Sequence, residues 1–191
     1  MPNIFILNKF EPNPYGGLEV DTTSKGSNKD LSPFYLGPVP TYVPGVMAQN
    51  VENLWQYSKV YAIHEHEPEA YFDWRDKGWA KERADRYPMG KGAKPLYSYW
   101  DGHQLDYIAA RKIIYIPAYA KAVLKTASYA MLYDAVQSGS DVVLRDFDGY
   151  DYIKAGQTLH QVVNNPNKTM GHAFVIAMLL TGNLLAGDLI L

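Results

Sequence analysis

The chain has 191 residues, 47% hydrophobic and 20% charged, with a formal net charge of −2 and no cysteine. This is the balance of an ordinary globular protein. It excludes disulfides, thiolate metal sites and cysteine nucleophiles, and it leaves no global field to draw in an anion, so an anionic partner requires a local basic patch. The length suits one domain with a sizeable core. The start, "MPNIFILNKF", lacks the features of a secretory signal, and the longest apolar run, "AFVIAMLL", falls far short of a membrane span, so the expectation is a soluble cytoplasmic protein with no membrane partner.

In chain order, residues 3–10 read as a strand, β-branched and aromatic in character. Residues 11–30, rich in Pro, Gly, Asn and Ser, read as a long loop. Residues 34–43 look extended, with prolines that confine them to an edge. "NVENLWQYSKVY" (50–61) reads as a helix with Asn50 as N-cap. On a 3.6-residue period Glu52, Gln56 and Lys59 share one face, beside an apolar face of Val51, Leu54 and Trp55 with Tyr61 at its edge. Residues 68–86 are helical in pattern, weakened near Gly78, and 87–95 form a basic glycine-bearing loop. From Asp101 the pattern is helical, with Leu105, Ile108, Ala109, Lys112 and Ile116 in register until Pro117 breaks or restarts it. Helix continues to a stop at Gly139. Residues 141–152 read as a strand entering an acidic turn, and 170–182 as a buried helix capped by Gly182. The fold class is α+β, a mainly helical single domain with a few short strands.

Several stretches carry chemistry worth weighing. "HEHE" (64–67) sets His64 and His66 two apart, a spacing that diverges on a helix, and it reads as a solvated helix end. "MGKGAKP" offers Lys91, Lys94 and backbone amides to a phosphate but lacks the Walker A spacing. Asp146 and Asp148 have the spacing of the haloacid dehalogenase aspartates. Tyr150 stands where that family has Thr or Val, so the pair reads as an acidic turn with an aspartate available to a pocket. The sixteen tyrosines suit flat polar ligands, although packing is the usual role of any one ring. The 50–61 helix is the most informative. Its apolar face draws Glu52 and Lys59 towards the core, where unpaired charge is expensive, so the two are either paired with each other or reserved for a ligand. Taken alone, that pattern reads first as structural pairing.

The order of segments resembles the NADAR (YbiA-like) family. "LSPFYLGPVP" followed by "NVENLWQYSKVY" is similar to its "LSNFYP" segment and "VEH-x-x-Q-x-x-K" helix. "YAMLYDAV", "DVVLRDFDGYD" and "MGHAFVIAMLLTGNLLAGDLI" fall where it has a helix, a strand with an acidic turn, and a last helix with its ending. Pro33 and Asn53 stand where that family has Asn and His, and residues 64–95 look like an insertion in a domain spanning 1–191. The resemblance implies an N-glycosidase that hydrolyses the base–ribose bond of a nucleotide or ADP-ribosyl substrate, without cofactor or metal. The alternative is a non-catalytic nucleotide or ADP-ribose binding module. By the same resemblance Glu52 is the acid that stabilises the sugar cation and activates water, Lys59 binds phosphate or assists the leaving base, and Gln56 orients the ligand. Asp151 matches the aspartate of the acidic turn, Asp101 and Asp146 are candidates for ribose hydroxyls, and Trp100 and Tyr61 for ring stacking. Lys91 and Lys94 are candidates for phosphate. The base, the attachment of the substrate to nucleic acid and the oligomeric state stay open.

Overall fold

A computed structural model describes residues 2–65 and 67–184. Its strands are β1 (Ile4–Asn8), β2 (Leu18–Asp21), β3 (Val39–Pro40), β4 (Met47–Ala48), β5 (Lys59–Val60), β6 (Tyr97–Trp100), β7 (His103–Leu105) and β8 (Val142–Asp146). Its helices are α1 (Val51–Tyr57), α2 (Ala62–Glu65), α3 (Pro68–Trp79), α4 (Tyr107–Ala110), α5 (Ile116–Val123), α6 (Ala127–Gln137), α7 (Leu159–Val163) and α8 (His172–Leu180). The protein is α+β. None of the described helices is long and apolar enough to cross a membrane. The chain divides into two compact units, Met1–Ser32 with Tyr119–Leu191, and Pro33–Ala118.

The first unit is built on a parallel sheet of order β1-β8-β2. Its central strand, Val142–Asp146, is buried along its whole length, which accounts for the unbroken "VVL" run: a parallel strand covered on both faces does not alternate. Helix α8 packs on β8 and β1 and is buried at all nine of its positions, so past His172 at its start it is apolar all round. Gly139 (φ +88°) and Gly182 (φ +70°) follow α6 and α8 in the left-handed conformation that stops a helix. The loop expected over 11–30 contains β2. Its "LEVD" alternates apolar and polar residues, but over only four positions between Gly-rich and Ser-rich neighbours, and the edge strand is held partly by ion pairs: Glu19 with Arg145 at 2.9 Å and Asp21 with Lys9 at 2.8 Å. Helix α7, opened by a Thr158–Gln161 capping box, lies in a stretch to which the sequence assigned no element.

The second unit holds the β3–β4 pair, the antiparallel sheet β5-β6-β7, and α1 packed against α3. Asn50 caps α1, accepting from the Asn53 N–H at 2.8 Å. The next free N–H groups are met by the segment before it: Val51 donates to Leu36 O at 2.8 Å and Glu52 to Pro33 O at 3.0 Å. The expected helix over 50–61 ends early, at Tyr57. Ser58 turns its hydroxyl back to Leu54 O at 2.6 Å, and Lys59 and Val60 instead pair with Ser98 and Tyr97 as β5. Gly78 marks close packing rather than weakness, since a Cβ there would stand 1.9 Å from the Tyr57 ring. Helix α3 stops one residue later, not at residue 86.

The helix expected from Asp101 begins at Tyr107, with Asp106 accepting from the Ala109 N–H at 2.7 Å. Before it, 97–105 form a hairpin whose turn residues Asp101 (φ +46°) and Gly102 (φ +80°) adopt the left-handed pair of a two-residue turn. After α4 comes a π-helical turn, Arg111–Tyr115, in which the Ile116 N–H reaches back five residues to the Arg111 carbonyl. Pro117 lies just past this turn, inside a helical run that is unbroken from Tyr107 to Val123, so it neither breaks nor restarts the helix.

Candidate functional site

The polar face of α1 forms a line of three side chains. Glu52 is 6% exposed, and its Oε1 accepts from Gln56 Nε2 at 2.9 Å. Gln56 Oε1 in turn accepts from Lys59 Nζ at 2.7 Å. The amide can satisfy both neighbours in only one orientation, N–H towards the carboxylate and C=O towards the ammonium, so each end of the line fixes the other. Lys59 reaches Gln56 although it lies beyond the helix, because β5 starts directly after the Ser58 turn.

Burial pushes the Lys59 ammonium down to about 8, against the opposing pull of Glu52. Desolvation therefore outweighs the attraction between the two charges. The ammonium also lies 4.8 Å from the centre of the Trp55 ring, within cation–π range. Trp55 is flanked by Tyr115 at 5.3 Å and Tyr107 at 6.3 Å. Arg111 is 2% exposed, with its guanidinium carbon 4.4 Å from the Tyr107 ring centre. Sequence reasoning passed over this buried cation. Its one signal is an Arg inside the apolar run "YIAARKIIYIP", and the π turn that seats it leaves no mark in the residue pattern.

Tyr61 and Trp100, each 8% exposed, belong to the aromatic packing of the second unit. Trp100 meets Tyr42 at 5.0 Å and Trp79 at 6.3 Å, and Tyr61 meets Trp74 at 6.3 Å. Asp101 is exposed at the hairpin tip, where its backbone conformation accounts for it, and Lys91 and Lys94 are exposed in the 87–95 loop. Asn53, where the resembling family has His, is fully buried and serves architecture: its amide donates to Lys81 O at 2.8 Å and Arg83 O at 3.2 Å.

Asp146 and Asp151 lie in the first unit. Asp146 accepts from the backbone N–H groups of Ala173 at 3.1 Å and Asp148 at 3.2 Å, and pairs with His172 Nδ1 at 3.2 Å. Asp151 accepts from the Tyr15 hydroxyl and, at 2.9 Å, from the Lys154 N–H. His64 is not the solvated helix end expected of it. It is 8% exposed, packs with its ring centre 4.6 Å from that of Trp74 at a tilt of 44°, and its Nδ1 accepts from the Tyr61 N–H at 3.2 Å. Burial lowers its basicity. His66 and the "LAGDLI" part (185–190) of the proposed family ending lie outside the described residues.

The geometry thus gathers one acid, one amide and one base on α1 and β5 of the second unit, and occupies the candidate aspartates Asp101, Asp146 and Asp151 with turn and backbone N–H contacts. No curated protein and no solved structure matches the chain significantly. A family model does match, over residues 9–176, a span that contains the Glu52–Gln56–Lys59 line, the Asp146 turn and the first half of α8. On that match the chain belongs to the DUF6939 family, a family of unknown function.

Proposed function

We propose that the protein is an N-glycosyl hydrolase of the kind its resemblance to the NADAR family implies, breaking the base–ribose bond of a nucleotide or ADP-ribosyl substrate. The observation that carries this reading is the half-buried line of Glu52, Gln56 and Lys59, whose ammonium is retained in a setting that disfavours it. Ionisable groups kept against their solvation preference are more often found at functional sites than elsewhere.

In this reading the C1′–N bond lengthens and positive charge develops on the ribose ring. The Glu52 carboxylate, aimed by Gln56, stabilises that charge and takes a proton from the attacking water, whose oxygen bonds to C1′. The departing base takes a proton from the Lys59 ammonium. With a value of about 8, that group is mostly charged at neutral pH yet far more acidic than an ordinary lysine. The acid form is the active one, so kcat/KM falls as pH rises through about 8, and Lys59→Met removes that alkaline limb together with most of the rate.

The test is chromatographic release of free base from a panel of nucleotides and ADP-ribosyl compounds, with wild type and Glu52→Gln side by side. Release by the wild type alone, with ligand binding kept in the variant, supports hydrolysis. Binding of the same compounds without release by either protein replaces it with a nucleotide-binding module.

A further inference from the structure

Between Lys81 and Lys94 the chain carries five cations, Lys81, Arg83, Arg86, Lys91 and Lys94, against two acids, Glu82 and Asp85, a net of +3 in a chain whose total is −2. Asp85 is already engaged, by Lys81 at 3.0 Å and by the Tyr57 hydroxyl at 2.8 Å. Arg83, Lys91 and Lys94 are exposed. They are the local basic patch that an acidic protein needs in order to hold a polyanion.

The segment is also shaped. Its start is fastened to α1: Asn53 holds the Lys81 and Arg83 carbonyls and accepts from the Asp85 N–H at 2.8 Å, while Asn50 donates to Glu82 O at 3.2 Å. Two successive tight turns follow, Gly90 N–H to Tyr87 O at 2.9 Å and Ala93 N–H to Gly90 O at 3.3 Å. Gly90 and Gly92 sit at φ +91° and +88° with no atom within 4 Å of where a Cβ would stand, so the backbone is open to approach. Tyr87 is 47% exposed beside the Arg86 guanidinium, 5.4 Å from its ring centre. Exposed cations along an open backbone, with one exposed ring in the same segment, supply the two kinds of contact, to phosphate and to base, that a single strand uses. A lipid surface would call for a continuous apolar face, and no such face runs through this stretch.

We propose that residues 83–94 form a docking arch for single-stranded nucleic acid, with Arg83, Lys91 and Lys94 on phosphates and Tyr87 beneath a base. Docking needs no turnover, so this inference stands or falls separately from the hydrolase reading.

The test is fluorescence anisotropy of a short labelled single-stranded oligonucleotide, titrated with the full chain at several salt concentrations. Three phosphate contacts predict a log–log salt slope of about −2. Lys91→Glu with Lys94→Glu should weaken binding about tenfold or more and flatten that slope. Tyr87→Ala should weaken the oligonucleotide about tenfold while leaving heparin, a polyanion without bases, unaffected. All three substitutions are on exposed residues, so an unchanged melting temperature accompanies each. Absence of binding by the wild type at low salt overturns the proposal. So does a charge-reversed variant that binds as well as the wild type, a Tyr87→Ala variant that loses heparin and oligonucleotide equally, or preferential capture by phosphatidylserine vesicles.

Discussion

Asp146 and Glu52 are both buried carboxylates, 3% and 6% exposed, and they are held in different ways. Asp146 is gripped by the backbone N–H groups of Ala173 and Asp148 and by His172, whose other ring nitrogen lies 2.8 Å from Thr22 O. Gly171 closes the remaining space, since a Cβ there would stand 2.1 Å from Asp146 Oδ2. Glu52 leans on a side-chain amide that passes the interaction on to an ammonium. Backbone donors cannot turn away without undoing the fold, whereas Gln56 and Lys59 can rotate and meet a ligand instead. The main-chain grip on Asp146 serves architecture, and the side-chain line through Gln56 and Lys59 is the part of the Glu52 surroundings that can be lent to chemistry.

That contrast can be broken experimentally. The largest effect expected is on turnover: Glu52→Gln should cost about a thousandfold in kcat, with the circular dichroism spectrum and urea midpoint close to wild type. Loss of the fold in that variant would make Glu52 a second Asp146. Asp146→Asn should instead act on stability, lowering unfolding free energy by about 3 kcal/mol, because an amide N–H₂ then faces the donors of Ala173, Asp148 and His172 that the carboxylate accepted from or contacted. Gly171→Ala should cost about 2 kcal/mol by crowding the same carboxylate, read as a lower midpoint in the same urea titration.

The smallest effect is the most discriminating. Burial lowers Lys59 from 10.5 to about 8, so between those values the unfolded chain binds the extra proton and wild-type stability rises with pH. Lys59→Met should therefore gain about 1 kcal/mol at pH 7, with the gain shrinking as pH climbs from 8 towards 10.5. A protein made more stable and inactive by one substitution is what a functional lysine predicts. If the same variant is destabilised at neutral pH, Lys59 is a structural partner of Glu52 and nothing more.

The parts legible in the sequence are those set by local periodicity. The apolar runs of β1, β8 and α8 announce themselves, as do the stops at Gly139 and Gly182. The polar face of α1 was legible as a group of residues, although not as a helix of that length. The Ser58 hydroxyl competes with the backbone there, and the cross-strand partner that makes Lys59 a strand residue lies nearly forty positions away. The hairpin at 97–105 was readable and overlooked: Asp101–Gly102 is the dipeptide such turns favour, and the helical period around Leu105 obscured it. What could not be read depends on distant contacts. Nothing near Glu19 and Asp21 shows that Arg145 and Lys9 will bind them into a sheet, and nothing in "HEHE" shows that Trp74 will cover His64.

The π-helical turn at Arg111–Tyr115 has a consequence for chain length. A π turn is an α-helix carrying one residue more than its period allows, and Ile113, 43% exposed within it, marks where the surplus is accommodated. Relatives that lack the bulge should be one residue shorter at this point, and those that keep it should keep the arginine that opens it. Deleting Ile113 would restore an ordinary helical repeat and leave the side chains on either side on the faces they already occupy, whereas the same deletion in a regular part of the helix would turn everything beyond it by about 100°.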